Sequence, residues 1–459
     1  MQWLKYDGSN GIDDIFDPVK NKSKKHKGDD TLVPFKTKMD KNRYEDFSGV
    51  VGAFSRLMAG TSVEKNMTSD EFRERLREKI KDSDEFETLF DIIKKLYFRD
   101  GRQTPISAKS LSLIESNTTQ RQVAEYLYSL FVDQTELKDR YQNMADAEDI
   151  NALEKLVFEI FTVSREANKG DFLKSECRLP YIREVFAEDF KVLLDDADYY
   201  KANIQRFLAY YYMFYVMQLA VKLGKFEDMD RNSIEKIFMT LHWEGISRSR
   251  KGYEYGWKYV LERLSHMFSH AVLLQMLSHN VDGKHYDYLD IYEKFSNSAD
   301  DEEVSEEIRK LNDRYREWLP VNYEACRYSQ DSSACRTLNE ICRLYKTIDY
   351  QFLNGDRTSH YNGYNRKFIE FVQTNFGRRR GTLGYTIGVN ENDIIMFTQI
   401  ILKTHGGKIG LSELYGEFDR RGLIFDKESK KKISALFEKM NLLEKRSDSG
   451  DAQYVKSVL

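Results

Sequence analysis

The chain has 459 residues, with 71 Lys plus Arg against 75 Asp plus Glu and a formal net charge of −4. At roughly 150 residues per domain, that length predicts more than one core. The near-neutral balance excludes a histone-like protein, so any nucleic-acid contact is local. Five prolines are about a fifth of ordinary usage and favour long helices. The four cysteines, Cys177, Cys326, Cys335 and Cys342, fit neither a disulfide framework nor a C-x2-C metal pattern. They read as reduced thiols in a cytoplasmic protein.

The opening MQWLKYDGSNGIDD has no apolar stretch ahead of a small-residue cleavage site, so no export signal is expected. Residues 18–43 carry nine basic and three acidic residues. The run KNKSKKHKGDD has no apolar residue, which predicts a mobile loop, and residues 1–45 are assigned to a basic N-terminal arm. A lysine-rich solvated loop is the commoner meaning of such a run than a phosphate-binding arm.

Residues 46–375 are expected to form an α-helical body, with a possible subdivision near residue 200. Ser69 caps a helix in which Phe72, Leu76 and Ile80 recur. Phe86, Leu89, Phe90 and Ile93 repeat the pattern, as do Leu153, Leu156, Val157, Ile160 and Phe161. Residues 204–223, IQRFLAYYYMFYVMQLAVKL, are long enough for a bilayer but carry Gln205, Arg206, Gln218 and Lys222, with tyrosines in the middle. A spanning helix keeps such rings at its ends, so a helix buried in protein is expected. Asp230 or Asn232 is expected to start another helix through Ile234, Ile237, Phe238 and Leu241. Residues 296–307, SNSADDEEVSEE, read as a solvated linker leading into a helix.

Residues 376–390 hold GRRRG, with Arg378, Arg379 and Arg380 in succession, and are expected to be a flexible basic linker. Beyond it the order is a helix over 390–403, one short strand at 408–411, a helix from Ser412 and a helix from about Asp426. Ile433, Leu436, Phe437 and Met440 are expected inward on that last helix, and two strands joined at Gly450 follow. That order is the order of a winged helix, a helix-turn-helix with a β-hairpin appended. The fold class expected is mainly α: a multi-helix body with a C-terminal winged-helix domain over 391–459. Residues 388–459 are expected to fold alone.

The chemical motifs are negative. HGGKIG at 405–410 lacks the first glycine and the closing Ser/Thr of a phosphate-binding loop. His266 and His270 have the spacing of a shared metal but not H-E-x-x-H, and lie among apolar residues. Hydrogen-bonded helix histidines are expected. Glu428-Ser-Lys430 has nuclease-like E-x-K spacing without an upstream carboxylate pair on a strand. No cofactor and no catalytic residue are assigned, and the chain is expected not to be an enzyme.

Two basic clusters are the candidate DNA-binding sites. ISRSRKGYEYGWKY at 246–259 interleaves Arg248, Arg250 and Lys251 with aromatic rings, which suits single-stranded nucleic acid or an acidic partner, although an interhelical turn with core aromatics is the commoner meaning of such a run. The second is the C-terminal region with Arg378, Arg379, Arg380, Lys427, Lys431, Lys432 and Lys439. The four lysines fall off the apolar stripe of their helix, as cations facing DNA must. Residues 376–459 count 15 basic against 11 acidic residues, a net of +4. Asp448 and Asp451 at the hairpin tip would repel phosphates, so protein docking is the competing use of this region.

RGTLGYTIGVNEND, LYGEFDRRGLIFDKESKKKI and EKMNLLEKRSDSGDAQYVKSVL resemble the DptG (DndG) subunit of bacterial DNA-phosphorothioation-dependent restriction systems. LHWEGISRSRKGYEYGWKYVLERLSHMFSHAVLL is similar to the same family, whereas residues 1–200 match only in length and helical character. The resemblance implies a subunit of an anti-phage restriction complex that attacks double-stranded DNA lacking the sulfur mark. It implies two ATP-hydrolysing partners, DptF-like and DptH-like, that carry the motor motifs. No catalytic residue of the family carries over onto this sequence, and neither a cofactor nor a membrane partner is expected.

Overall fold

The computed structural model describes residues 2–6, 11–35, 43–63, 69–80, 85–99, 102–103, 106–132, 135–147, 152–161, 163–164, 175–445 and 453–457. The protein is mainly helical, with a few short strands. No helix among the described residues is long and apolar enough to cross a membrane. The chain divides into two compact units, one of residues 1–39, 216–235 and 257–370, the other of 40–215, 236–256 and 371–459.

In the first unit, the helix Met267–Leu277 is buried along its whole length. Arg336–Asn354 packs against it on one side and against Asp301–Trp318 on another. The acidic stretch enters its helix as expected, and Asp301 also caps the neighbouring helix, accepting from the Arg336 and Thr337 amides at 2.9 Å. The N-terminal segment is not a free arm. The Trp3 and Leu4 amides donate to the Glu307 carboxylate at 2.9–3.1 Å. His26 meets the Tyr315 hydroxyl at 2.8 Å, and the Asp29 amide donates to the Ala271 carbonyl at 2.9 Å. The lysines of KNKSKKHKGDD face solvent while His26 and Asp29 point inward. The hydrophilic run is therefore a strap held by its few inward groups. Lys36, Lys38 and Lys41 lie outside the described residues.

In the second unit the expected helices appear at Ser69–Lys79, Phe86–Tyr97 and Ala152–Ile160, sharing a core of Phe72, Leu76, Phe90, Ile93, Val157 and Ile160. The helix Ala197–Leu223 is buried, as its composition demands. Three of its tyrosine hydroxyls are hydrogen-bonded within the protein. Tyr210 donates to the Arg421 carbonyl at 2.8 Å and Tyr211 to Asp189 at 2.6 Å, while Tyr215 accepts from the Arg178 amide at 2.9 Å. Buried rings on this helix thus have most of their polar tips paired, the Tyr200 hydroxyl being the exception.

The helix expected at 232–241 does not form. The Phe238 amide donates to the Tyr255 carbonyl and the Met239 amide to the Ile424 carbonyl, at 2.9 and 2.8 Å. The chain then enters strand β1 (Thr240–Leu241). The arginine run is not a flexible linker either. It forms β2 (Gly377–Arg379), which pairs antiparallel with β3 (Tyr385–Val389), and β3 in turn lies parallel to β1. Gly381 and Gly384 turn the hairpin with φ of +58° and +77°, where a side chain would be strained.

After β3 come α1 (Glu391–Thr404), β4 (Lys408–Gly410), α2 (Leu411–Arg420), α3 (Lys427–Lys439), β5 (Leu443–Lys445) and β6 (Gln453–Lys456). Asn390 and Asp393 form a reciprocal cap on α1, and Asp426 caps α3. The three strands form an antiparallel sheet in the order β4-β6-β5. Ile394, Phe397, Leu414, Phe418, Ile433 and Phe437 are fully buried. Met440 is not inward but 43% exposed, because α3 ends at Lys439 and Asn441 turns left-handed. The joining turn with Asp448 and Asp451 lies outside the described residues. Arg421, 1% exposed, ion-pairs with Asp189 of the helix Pro180–Leu194 at 2.7 Å, so residues 388–459 share polar as well as apolar contacts with the rest of this unit.

Candidate nucleic-acid interface

α2 and α3 are locked to each other near the turn between them. The Tyr415 hydroxyl donates to the Lys430 carbonyl at 2.7 Å, and the Lys430 ammonium lies 4.9 Å from the Tyr415 ring centroid. This fixes the rotation of α3. Ser429, Ile433, Leu436 and Phe437 are inward, and Lys427, Glu428, Lys431, Lys432, Ala435, Glu438 and Lys439 outward. The four lysines chosen from the periodicity are exposed. Lys431 pairs with Glu428 at 2.8 Å, whereas Lys427, Lys432 and Lys439 have no ion-pair partner among the described residues.

The structure brings the two basic clusters together, and the residue that joins them is Glu244. It is 4% exposed at the end of the β1 segment. Its carboxylate accepts from the Leu241 amide at 2.8 Å, the Ser429 hydroxyl at 2.9 Å and Arg250 at 3.0 Å. Its carbonyl accepts from Arg380 at 2.6 Å. The base of the β2–β3 hairpin, the 246–251 turn and the first turn of α3 therefore meet on one residue, the hairpin at its carbonyl and the other two at its carboxylate.

Two of the ten arginines and lysines assigned to DNA are spent inside this hub. Arg250 makes a two-pronged pair with Asp426, both distances 2.7 Å, while the Asp426 carboxylate also caps α3. These bonds raise the Arg250 pKa, the Asp426 hydrogen bond first. Burial pushes the Asp426 carboxyl up, but the Arg250 and Ser429 hydrogen bonds outweigh it and hold it below the usual range. Arg380 donates to the Glu244 and Leu241 carbonyls and to Thr386. Burial, opposed by Glu244, lowers its pKa, with the Arg378 and Arg250 charges adding to the lowering. The donors of both guanidinium groups are thus engaged by protein groups, unlike those of the exposed arginines beside them.

Arg248, Lys251, Arg378 and Arg379 are exposed. The Lys251 ammonium sits 5.2 Å from the Phe238 ring centroid, and the other three have no ion-pair partner among the described residues. Of the aromatics beside them, Tyr255 and Tyr385 are 45% and 40% exposed. Glu244 and Asp426 escaped the sequence reading. Asp426 carried one signal, an Asp at the N-cap position before K-E-S, but nothing local points from Asp426 back to Arg250 or from Glu244 forward to Ser429.

The histidines of the first unit are satisfied by hydrogen bonds. His266 Nδ1 lies 2.9 Å from Asp349, and His270 Nδ1 lies 2.8 Å from the Tyr288 hydroxyl. No group of three potential metal ligands converges among the described residues. An open groove of about 910 Å³ runs along Asp301–Trp318 and Arg336–Asn354. Its charges cancel locally, as in Arg343–Glu340 and Arg336–Glu302, so it selects neither sign of ligand. Comparison with known protein families and with curated proteins finds no match for this chain.

Proposed function

We propose that this chain is a non-catalytic DNA-binding and bridging subunit of a phosphorothioate-dependent restriction complex, related to DptG. In this reading it acts on unmodified DNA with two ATPase partners. Residues 391–459 serve as a winged helix whose third helix, α3, faces the duplex. The observation that carries the reading is the exposed lysine face of α3, in a region with a sheet of order β4-β6-β5, together with a second group of exposed arginines. Phosphate contacts from such residues give affinity and orientation without reading bases.

The test is duplex binding across a salt series. Each phosphate contact contributes about 0.9 to the slope of log affinity against log salt. Changing Lys431 and Lys432 together to glutamate removes up to two such contacts, leaves the fold intact and leaves sequence preference unchanged. One observation favours a second use of the same face: Glu428 and Glu438 share it, and Glu428 pairs with Lys431. If the double variant binds DNA like the parent but loses a partner ATPase in a pull-down, the chain is a protein-docking scaffold with no DNA contact.

A further inference from the structure

The β2–β3 hairpin is built for more than closing the sheet. Residues 377–390 contain three arginines and no carboxylate. Register pairs Gly377 with Ile387, Arg378 with Thr386 and Arg379 with Tyr385. Arg380 clamps the base through the Glu244 and Leu241 carbonyls and Thr386. The tip, Gly381 to Gly384, is held by backbone bonds from the Leu383 and Gly384 amides at 3.1 and 3.2 Å. A pre-formed hairpin loses little conformational freedom when it meets a ligand.

Alternation along a strand sends Arg378 and Arg379 to opposite faces. Arg378 lies across from Thr386, whose hydroxyl oxygen accepts from Arg380 at 3.2 Å, so the two guanidinium groups share one face of the hairpin. Bringing a phosphate there relieves like-charge repulsion. Arg379 lies on the other face with Tyr385 directly across from it, at the roughly 4.5–5.5 Å Cβ spacing of a cross-strand pair. A planar guanidinium beside an exposed phenol ring offers two stacking surfaces, and the ligand chemistry that uses both is an unpaired base carrying its phosphate. A paired base inside a duplex presents no free face. The C-terminal hairpin, with Asp448 and Asp451 in its turn, has the wrong charge for this work.

Resting on the DNA-binding reading above, we infer that the β2–β3 hairpin is a second nucleic-acid contact. Arg378 takes a backbone phosphate and Arg379 with Tyr385 stacks an unpaired base, so the favoured DNA is a duplex continued by a single strand. Glu244 ties the hairpin base to the first turn of α3, so both elements reach one DNA molecule as a rigid pair.

The experiment is fluorescence anisotropy of the full chain with a blunt duplex and with the same duplex carrying a single-stranded tail. The tail is expected to tighten binding at least about five-fold, the low end for stacking one base on an aromatic ring. Tyr385→Ala removes that gain and leaves blunt-duplex affinity alone, whereas Tyr385→Phe keeps it. Arg378→Gln lowers the salt slope on both probes by about 0.9. Arg379→Ala, at an exposed position, checks the pair without threatening the fold. Equal affinity for the two probes, or a gain that survives Tyr385→Ala, overturns the inference while Lys431- and Lys432-dependent duplex binding still stands. If neither probe binds, both readings fall, and an acidic protein partner becomes the hairpin's ligand.

Discussion

Removing the Glu244 side chain tests whether the two basic clusters are held as one surface. Glu244→Ala strips a buried carboxylate from the Leu241 amide, the Ser429 hydroxyl and Arg250. Orphaning a buried charge costs about 3–5 kcal/mol, but Arg250 keeps both bonds to Asp426, so the charge is only partly stranded. The Leu241 amide loses its only side-chain acceptor, and a buried unsatisfied N–H costs about 1–3 kcal/mol. The two together predict a loss of about 2–4 kcal/mol in urea unfolding followed by circular dichroism. Glu244→Gln retains an acceptor for the Leu241 amide and should lose about half as much. Combining Glu244→Ala with Ser429→Ala should show a coupling of at least about 0.5 kcal/mol, because the two side chains share one network. Duplex binding should weaken in Glu244→Ala as well, although Glu244 touches no DNA in this scheme. A loss below about 1 kcal/mol with unchanged DNA affinity would refute the hub and leave the clusters as neighbours by accident.

Where local chemistry decides structure, the sequence was legible. Ser69, Asn390 and Asp426 stand at or beside helix starts, and the apolar stripes at 72–80, 86–93 and 433–437 face inward. The tyrosine-rich helix is buried because rings with polar tips need protein partners, which the sequence already implied. Failures cluster where distant segments decide. Residues 232–241 have helical spacing, yet the Phe238 and Met239 amides find acceptors at Tyr255 and at Ile424, and pairing overrides periodicity. Gly-Arg-Arg-Arg-Gly looks like a joint because its strand partner, β3, itself follows one glycine, Gly384, and contains another, Gly388. Met440 follows the helical phase one residue past the point where α3 has ended. Arg250 and Arg380 were indistinguishable from Arg248 and Arg378 in sequence. Which arginine stays exposed and which braces the fold depends on distant groups: the Asp426 carboxylate for Arg250, and the Glu244 and Leu241 carbonyls for Arg380.

Leu436→Ala should cost about 2–5 kcal/mol in thermal or urea unfolding, the range for truncating a well-buried leucine; a loss under about 1 kcal/mol would show a loose α3 core. A fragment of residues 388–459 is expected to stay unfolded by circular dichroism, contrary to the reading from sequence alone, because Arg421 loses Asp189. Asp189→Ala in the full chain should cost about 3–5 kcal/mol for the same reason, and a neutral result would break that argument. The last expectation concerns acid. His270 is 2% exposed and stacks on Tyr345 at 4.4 Å, and burial, with His266 adding to it and Asp349 opposing it, pushes its pKa down to about 3. The unfolded chain takes up that proton near pH 6.5, whereas the folded chain does not until about pH 3, so the unfolded state binds more protons between those values. Stability is therefore full above pH 6.5 and falls by about 1.4 kcal/mol per pH unit below it, reaching about 2 kcal/mol at pH 5. His270→Phe should flatten the slope of unfolding free energy between pH 7 and 5 by that amount, whatever it does to the absolute value through the Tyr288 hydroxyl. An unchanged slope would mean that His270 is protonated in the folded protein, which its burial against Tyr288 and Tyr345 forbids.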